Sequence, residues 1–97
     1  MTAAAETVHV ALGDAYRYEE AWPEAIAAYD RAISLYPEEV AAQWAVYFAR
    51  GIVNERGGRW DDAERDFRKA PELEPDQPSV LNYLGYSLVE KRENLDE

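Results

Sequence analysis

Catalysis or metal binding would depend on a few types of side chain, of which histidine and cysteine are the most informative in this sequence. His9 is the only histidine, and the chain contains no cysteine. A hydrolase triad could form only around His9, and no nucleophile-elbow or oxyanion motif accompanies it. Sites for zinc and other soft metals need several histidine or cysteine ligands, so we expect neither such a metal nor a cofactor. We expect His9 to fill a packing position on the first helix.

Acidic residues also occur in clusters that could in principle act as acids, bases or calcium ligands. The densest cluster lies between Asp61 and Asp66, and the pair Glu19-Glu20 lies in a predicted turn. The dense cluster lacks the glycine-centred spacing of a calcium loop. It stands at a predicted helix start, where carboxylates complement the helix dipole. Water screens the carboxylates of Glu19 and Glu20 in the predicted turn. Since neither His9 nor the acidic residues show the arrangement of a catalytic site, we predict that the chain is not an enzyme.

Charge and hydropathy argue against two classes of partner. The 97 residues include 20 acidic and 10 basic side chains, for a net charge of −10. Such a chain repels phosphate backbones, so we expect no nucleic-acid partner. The longest apolar runs fall far short of a bilayer span, and no secretory signal is visible, so we expect no membrane insertion. The compartment stays open, with the cytoplasm as the default.

Part of the sequence is repeated at one constant offset. The repeated positions are Gly13, Ala25, Tyr29, Ala32 and Pro37, which recur in the same order and spacing as Gly51, Ala63, Phe67, Ala70 and Pro75. These matches at a single offset indicate two copies of the same structural unit. Glycine and alanine let packed helices approach closely, and the aromatic side chain fills the space beside them.

Apolar residues recur at helical spacing between these landmarks. The pattern predicts five helices, at about residues 6–18, 23–35, 38–56, 60–70 and 79–92. The third helix is unusually long, and its extra length accommodates the longer spacing of the second unit. We expect Pro71 to end or kink the fourth helix, because proline lacks an N–H donor and its ring clashes with the carbonyl of Phe67.

The combined pattern resembles the tetratricopeptide repeat (TPR) family over nearly the whole chain. That family places Leu-Gly and Tyr in the first helix of each repeat and Ala, an aromatic, Ala and Pro in the second, with a period of about 34 residues. The step from Gly51 to Gly85 equals that period. Some positions depart from the pattern. His9 stands where the family often has a large aromatic residue, and in the second repeat Arg50 stands in place of leucine and Asn54 in place of tyrosine.

The resemblance implies an all-α fold of antiparallel helix pairs, stacked as a right-handed solenoid. About two and a half repeats would occupy residues 6–39, 40–77 and 78–97, the last being a truncated repeat. The stretch 81–87 followed by Asn94-Leu95-Asp96-Glu97 looks like those of multi-repeat bacterial TPR proteins. We therefore expect a piece of a larger bacterial protein.

The resemblance also implies that the chain binds another protein in a concave groove lined by the first helix of each repeat. The residues that match groove positions, called here the groove residues, are Val10, Asp14, Arg17, Phe48, Ile52, Glu55, Asn82, Tyr86 and Val89. A groove that is apolar at its centre and charged at its edges suits an extended peptide or an amphipathic helix. The negative charge of the chain favours a partner with basic flanks. Alternatively, Phe48, Ile52 and Tyr86 simply pack between helices.

The predicted fifth helix offers a competing surface. Its apolar residues without a predicted partner are Leu81, Tyr83, Leu84 and Leu88. An exposed apolar stripe of this kind invites a homodimer or a domain swap, so the chain could instead be a structural module that self-assembles. A third possibility is an accessory domain of an enzyme. A chaperone carboxylate clamp is not expected, because Val10 and Asp14 stand where clamp repeats carry lysine and asparagine.

Overall fold

A computed structural model describes residues 4–36 and 43–75 of the chain. These residues form the helices α1 (Ala5–Tyr18), α2 (Trp22–Ser34), α3 (Trp44–Arg56) and α4 (Trp60–Leu73). The helices form antiparallel pairs, α1 with α2 and α3 with α4, and α2 also packs against α3. The predicted all-α class and helix pairing are therefore confirmed.

Two predictions about the helices concern residues outside the described ranges. The predicted fifth helix at 79–92 is one of them. The other is the early start of the third helix, because residues 37–42 are not described and α3 is followed only from Trp44. Both stay predictions.

Pro71 is predicted to end or kink the fourth helix, and the first alternative is wrong, because α4 continues to Leu73. Pro71 deprives the carbonyl of Phe67 of its usual donor. Beyond the proline the helical hydrogen bonds resume, since the N–H of Glu74 donates to the carbonyl of Ala70 at 3.0 Å. A proline so close to the helix end interrupts little of the hydrogen-bond ladder, and the helix survives it.

The turns after α1 and α3 have the same backbone hydrogen bonds at equivalent positions of the two units. After α1, the donors Glu19, Glu20 and Ala21 bond to the carbonyls of Ala15, Arg17 and Tyr16; after α3, Gly57, Gly58 and Arg59 bond to those of Val53, Glu55 and Asn54. The middle residue is left-handed in both turns, with φ of 63° at Glu20 and 83° at Gly58. Glycine adopts this conformation without strain, whereas a residue with a Cβ is destabilised there.

The core lies between the helix pairs and repeats with the sequence. Its central cluster comes from α2 and α3 and consists of Ala25, Tyr29, Ala32, Val46, Ala49 and Val53. The rings of Tyr29 and Phe67 are fully buried. Each lies directly against the backbone of a glycine, Tyr29 against Gly13 and Phe67 against Gly51. The repeated glycine and aromatic residues of the sequence therefore form equivalent contacts in the two helix pairs.

Within residues 4–36 and 43–75, none of the helices combines the length and the apolar character needed to cross a bilayer.

Candidate functional site

The groove residues of α1 follow one stripe of that helix, but their surroundings differ. Val10 is half-buried and packs against the central core cluster. Asp14 is exposed and accepts a hydrogen bond from the hydroxyl of Tyr29 at 2.5 Å. Arg17 lies one turn further on, with its Nη2 3.6 Å from the carboxylate of Asp14. Val10 therefore contributes mainly to the core, while Asp14 and Arg17 present charge on the surface of α1.

The contact between Tyr29 and Asp14 changes the acidity of the tyrosine. Burial raises the pKa of the Tyr29 hydroxyl above its ordinary value, and donation to Asp14 raises it further. The hydroxyl therefore stays protonated in the folded chain at pH values where an unfolded tyrosine ionises. Because the ring is buried and only its oxygen reaches Asp14, Tyr29 links a groove residue to the core.

This raised pKa predicts a loss of stability at alkaline pH. The stabilisation is complete below about pH 10, where tyrosine is protonated in both states, and falls as the pH rises further because the unfolded chain releases the proton first. Tyr29→Phe keeps the buried ring and removes the titration. We expect its free energy of unfolding to fall less steeply above about pH 10 than that of the wild type, as measured by urea unfolding. Equal slopes would contradict the effect, since the other tyrosines are common to both proteins.

The groove residues of α3 divide between packing and exposure. Phe48 is half-buried, and the centre of its ring lies 6.4 Å from that of Trp44 and 6.0 Å from that of Phe67. Phe48 thus contacts the buried ring of Phe67, while part of its own surface stays exposed. Ile52 and Glu55 are half-buried as well. Of the three, Ile52 also lines a surface cavity.

That cavity, called here the α1–α3 cavity, brings residues of both helix pairs together. Its volume is about 380 Å³, and it is lined by Arg17, Tyr18, Glu20, Trp22, Ile52 and Arg56. Two groove residues, Arg17 and Ile52, thus lie at one place, whereas Val10, Asp14, Phe48 and Glu55 do not line it. The groove residues 82, 86 and 89 and the self-association residues Leu81, Tyr83, Leu84 and Leu88 lie outside the described part of the chain.

Sequence analysis missed Tyr18, Glu20, Trp22 and Arg56. A signal for two of them was present, since Tyr18 and Arg56 each follow a groove residue directly and occupy equivalent positions of the two repeated units. Tyr18 is 91% exposed, which is unusual for a large side chain with apolar surface. Trp22, the first residue of α2, is half-buried at the same cavity. The two aromatic rings and Ile52 make this part of the surface both concave and partly apolar.

An ionic network links α3 to two other helices, α2 and α4. Arg50 donates from Nε and Nη2 to the two carboxylate oxygens of Asp66, at 2.9 and 2.7 Å, and from Nη1 to Asp30 at 2.7 Å. Asn54 also donates to Asp66, at 3.0 Å. The guanidinium lies 5.2 Å from the centre of the Tyr47 ring. The two positions of the second repeat that depart from the family pattern, Arg50 and Asn54, therefore share one buried carboxylate.

The network is electrostatically satisfied. Burial opposes the charged form of Arg50, but the hydrogen bonds and charges of Asp66 and Asp30 outweigh it, and the pKa of the guanidinium is raised. A cavity of about 270 Å³ borders the network, and in the described part of the chain its charged lining residues are three arginines and three aspartates. Because the charges match, this cavity has no net preference for an anionic or a cationic ligand. The network is best explained as a structural link between α2, α3 and α4.

The residues first considered for chemistry lie in ordinary structural settings. The Nδ1 of His9 is 2.8 Å from the carbonyl of Ala5, one helical turn earlier. Asp62 and Glu64 pair with Arg65 and Arg68 on the surface of α4. In the described part of the chain, no three histidine, aspartate or glutamate side chains are grouped so that they could hold a metal ion.

Comparison with known proteins agrees with the repeated helix pairs. The tetratricopeptide repeat family matches residues 10–78 of the chain. No curated protein sequence matches the chain. The matched segment contains most of α1, all of α2, α3 and α4, and both glycine–aromatic contacts. Since the match covers well over half of the sequence, the chain belongs to the tetratricopeptide repeat family.

Proposed function

We propose that this chain is a scaffold that binds a peptide or an amphipathic helix of a partner protein on the surface formed by α1 and α3. TPR repeats generally mediate protein–protein interactions and are typically non-catalytic. The proposal goes further by assigning the contact to one surface of this chain. The α1–α3 cavity is the observation that supports it.

The cavity has the properties of a site that receives one side chain of a bound segment. Tyr18 and Ile52 come from different helix pairs, and Trp22 lies beside them at the start of α2. Aromatic and aliphatic groups at a concave place supply the apolar area that anchors a partner. In addition, Arg17 and Arg56 are placed to bond polar groups of that partner. The cavity thus combines an apolar anchor point with charged groups at its edge.

The remaining features of the partner follow from the sequence. If the helices stack as a right-handed solenoid with repeats at 6–39, 40–77 and 78–97, the groove residues Asn82, Tyr86 and Val89 extend the surface beyond α3. A bound segment would then run from α1 past α3 to the third repeat. The net charge of −10 favours basic residues in its flanks and makes association faster at low salt.

The second candidate function is self-assembly, and α1 supplies an observation that favours it. Val8 and Leu12 are 50% and 44% exposed on one side of α1. The residue equivalent to Val8 in the second unit, Val46, is buried in the core cluster between α2 and α3. A second copy could cover the exposed side of α1, or it could pair with the predicted stripe of Leu81, Tyr83, Leu84 and Leu88.

Matched truncations of two isoleucines test the proposed surface. Peptides are selected on the wild-type protein from a displayed random library, and their affinities are then measured by fluorescence anisotropy. Ile52→Ala removes an apolar group from the cavity, so we expect affinity to fall about tenfold. Ile33→Ala removes the same atoms from a half-buried isoleucine of α2 that packs against the core, and we expect little change.

Two results would contradict the proposal. Equal affinity for wild type and Ile52→Ala would place the peptide elsewhere on the molecule. Failure to select any peptide would also count against it. If no peptide is selected, a molar mass that rises with protein concentration in light scattering would favour self-assembly. Thermal unfolding of both isoleucine variants shows whether they lose comparable stability, which separates loss of a contact from loss of the fold.

A further inference from the structure

The charge of the residues that line the α1–α3 cavity is opposite in sign to the net charge of the chain. The chain carries twice as many acidic as basic residues. Among the described residues, the charged ones that line the cavity are two arginines, Arg17 and Arg56, and one glutamate, Glu20. The lining charges alone therefore favour a ligand group that is negatively charged.

The two arginines are available to a ligand. Arg56 is exposed, and no side chain in the described part of the chain pairs with it. Among the described residues, Arg17 has one ion-pair contact, the distant one with Asp14 at 3.6 Å, and its side chain is 35% exposed. Arg50 differs from both, since three charge-assisted hydrogen bonds already occupy its guanidinium. Within residues 4–36 and 43–75, the cavity thus presents two guanidinium groups of which one has a single distant acidic contact and the other has none.

A structural explanation for Arg17 and Arg56 must also be considered, because both lie in the last turn of a helix. Basic residues there offset the negative end of the helix dipole. Three of the last four carbonyls of each helix, however, already have backbone partners. After α1 the N–H groups of residues 19–21 bond to them, and after α3 those of residues 57–59 do the same. The helix ends therefore do not need the arginine side chains as hydrogen-bond donors.

Apolar groups also line the cavity. Ile52 and Trp22 are half-buried, and Tyr18 has 91% of its surface exposed. An apolar side chain bound against these groups excludes water from the space beside it. Exclusion of water strengthens the attraction between an arginine and a carboxylate, which is weak on an open surface. In a ligand that carries an apolar and an acidic group next to each other, binding of the apolar group would therefore strengthen binding of the acidic group.

Glu20 limits where an acidic group can lie. It stands in the left-handed region with φ of 63°, at the position that Gly58 occupies in the second turn. A glutamate there is strained by about 1 kcal/mol relative to glycine, and strained residues are concentrated at functional sites. Its carboxylate repels a like charge on its own side of the cavity. An acidic group is thereby directed toward Arg17 and Arg56.

We infer that the α1–α3 cavity recognises an internal aspartate or glutamate of a partner segment together with an adjacent apolar side chain. The apolar side chain lies on Ile52 and Trp22, and the carboxylate accepts hydrogen bonds from Arg17 and Arg56. Guanidinium groups suit this role because their paired N–H donors match the two oxygens of a carboxylate. The inference rests on the proposed function and adds the identity of one recognised residue. Basic flanks of the partner would lie outside the cavity.

Synthetic peptides in three matched sets test this recognition. All sets share the same apolar and spacer residues, and the variable position next to the apolar residue is Asp or Glu, Asn or Gln, or Lys or Arg. Wild-type protein is expected to bind the acidic set about tenfold more tightly than the neutral set at low salt, with the difference decreasing as salt is added. Arg56→Glu is expected to remove or reverse that preference.

Arg31→Glu is the matched control. Arg31 is an exposed arginine in the last turn of α2, and it is not among the residues that line the α1–α3 cavity. Both substitutions change the net charge by the same amount at equivalent places in a helix. A loss of the acidic preference in Arg56→Glu but not in Arg31→Glu supports the inference. Equal losses in the two variants would mean that only overall charge matters, and would overturn it.

The failure of this inference can be told apart from failure of the proposed function. Tight binding of neutral or basic peptides that is lost in Ile52→Ala would overturn acidic recognition and leave the binding surface in place. Binding that Ile52→Ala does not weaken, or no binding by any set, would contradict both. Titration of the protein with peptide gives an independent readout, since quenching of tryptophan fluorescence reports on Trp22, which lines the cavity. A Trp22→Phe variant shows how much of the fluorescence change comes from Trp22.

Discussion

Replacement of Asp66 by alanine is expected to lower the free energy of unfolding by about 3–5 kcal/mol. Only 4% of Asp66 is exposed, and its carboxylate accepts hydrogen bonds from Arg50 and Asn54. Removal of the carboxylate leaves the guanidinium of Arg50 partly buried with Asp30 as its remaining acidic partner. Loss of one member of a buried ion pair is far more destabilising than loss of the whole pair. Chemical denaturation followed by far-UV circular dichroism measures the difference.

Two further variants make this prediction specific. Asp62→Ala removes a carboxylate of the same helix that pairs with Arg65 on the surface, and we expect it to cost at most about 1 kcal/mol. The double variant Arg50→Met/Asp66→Leu replaces the pair by apolar groups and is expected to recover part of the lost stability, but not all of it, because the buried amide of Asn54 loses its acceptor. If Asp66→Ala were no more harmful than Asp62→Ala, the network would not hold the helices together.

Gly51→Ala is expected to destabilise the chain by about 1–3 kcal/mol, although alanine is the better helix former. A Cβ at this position would lie 2.6 Å from Cε1 and 2.7 Å from Cδ1 of Phe67. Carbon atoms in contact normally lie about 3.5–4.0 Å apart, so the ring or the helix must move. Because Phe67 is fully buried and also contacts Phe48, the ring has little free space to enter. Thermal and urea unfolding both report the loss.

The partner residue provides the control for this effect. In the double variant Gly51→Ala/Phe67→Leu, the smaller side chain makes room for the Cβ, so the added cost of alanine should be lower than in the presence of phenylalanine. Gly13→Ala should behave like Gly51→Ala, since its Cβ would lie 2.5 Å from the ring of Tyr29. A gain in stability from Gly51→Ala would mean that helix propensity decides at this position and that the contact with Phe67 is not tight.

The repeated small and aromatic residues made the fold predictable from the sequence. Gly13 and Tyr29 are related to Gly51 and Phe67 by one and the same offset, and the two pairs form equivalent contacts. Such a contact needs a residue without a side chain opposite a large ring, and few sequences satisfy that requirement twice by chance. The starts of α2 at Trp22 and of α4 at Trp60 could likewise be predicted from the sequence. The end of α4 could not be predicted, because a proline so close to the end of a helix interrupts few of its hydrogen bonds.

The ionic network could not be predicted, because its members differ from the residues at equivalent positions. Arg50 and Asn54 correspond to Leu12 and Tyr16, and Asp66 corresponds to Ala28. Comparison of the two units therefore showed that Arg50 and Asn54 differ from their equivalents, but did not show that they share a partner. Their common partner lies on another helix, and only the packing of α3 against α4 brings the three together. A polar substitution in one repeat should prompt a search for a second one on the helix that faces it.

The candidate site was only partly accessible from the sequence for a related reason. The stripe on each first helix follows from helical spacing, and its members Arg17 and Ile52 lie on α1 and α3 at the cavity. A cavity, however, forms where two elements and a turn meet. Trp22 and Glu20 belong to the turn after α1 and the start of α2, so no helical stripe includes them. Their roles depend on the tertiary arrangement.

The bond between Arg50 and Asp30 also bears on how the two helix pairs fold. In a linear repeat array, neighbouring units can unfold one after another when the contact between them is weak. Here Val46 and Val53 of α3 are buried with α2, and Arg50 joins Asp30 of the first pair to Asp66 of the second. Opening of α3 and α4 alone must therefore expose apolar surface and break an ion pair at once. The half-folded species is disfavoured, and slow hydrogen exchange should spread evenly over the inner helices α2 and α3.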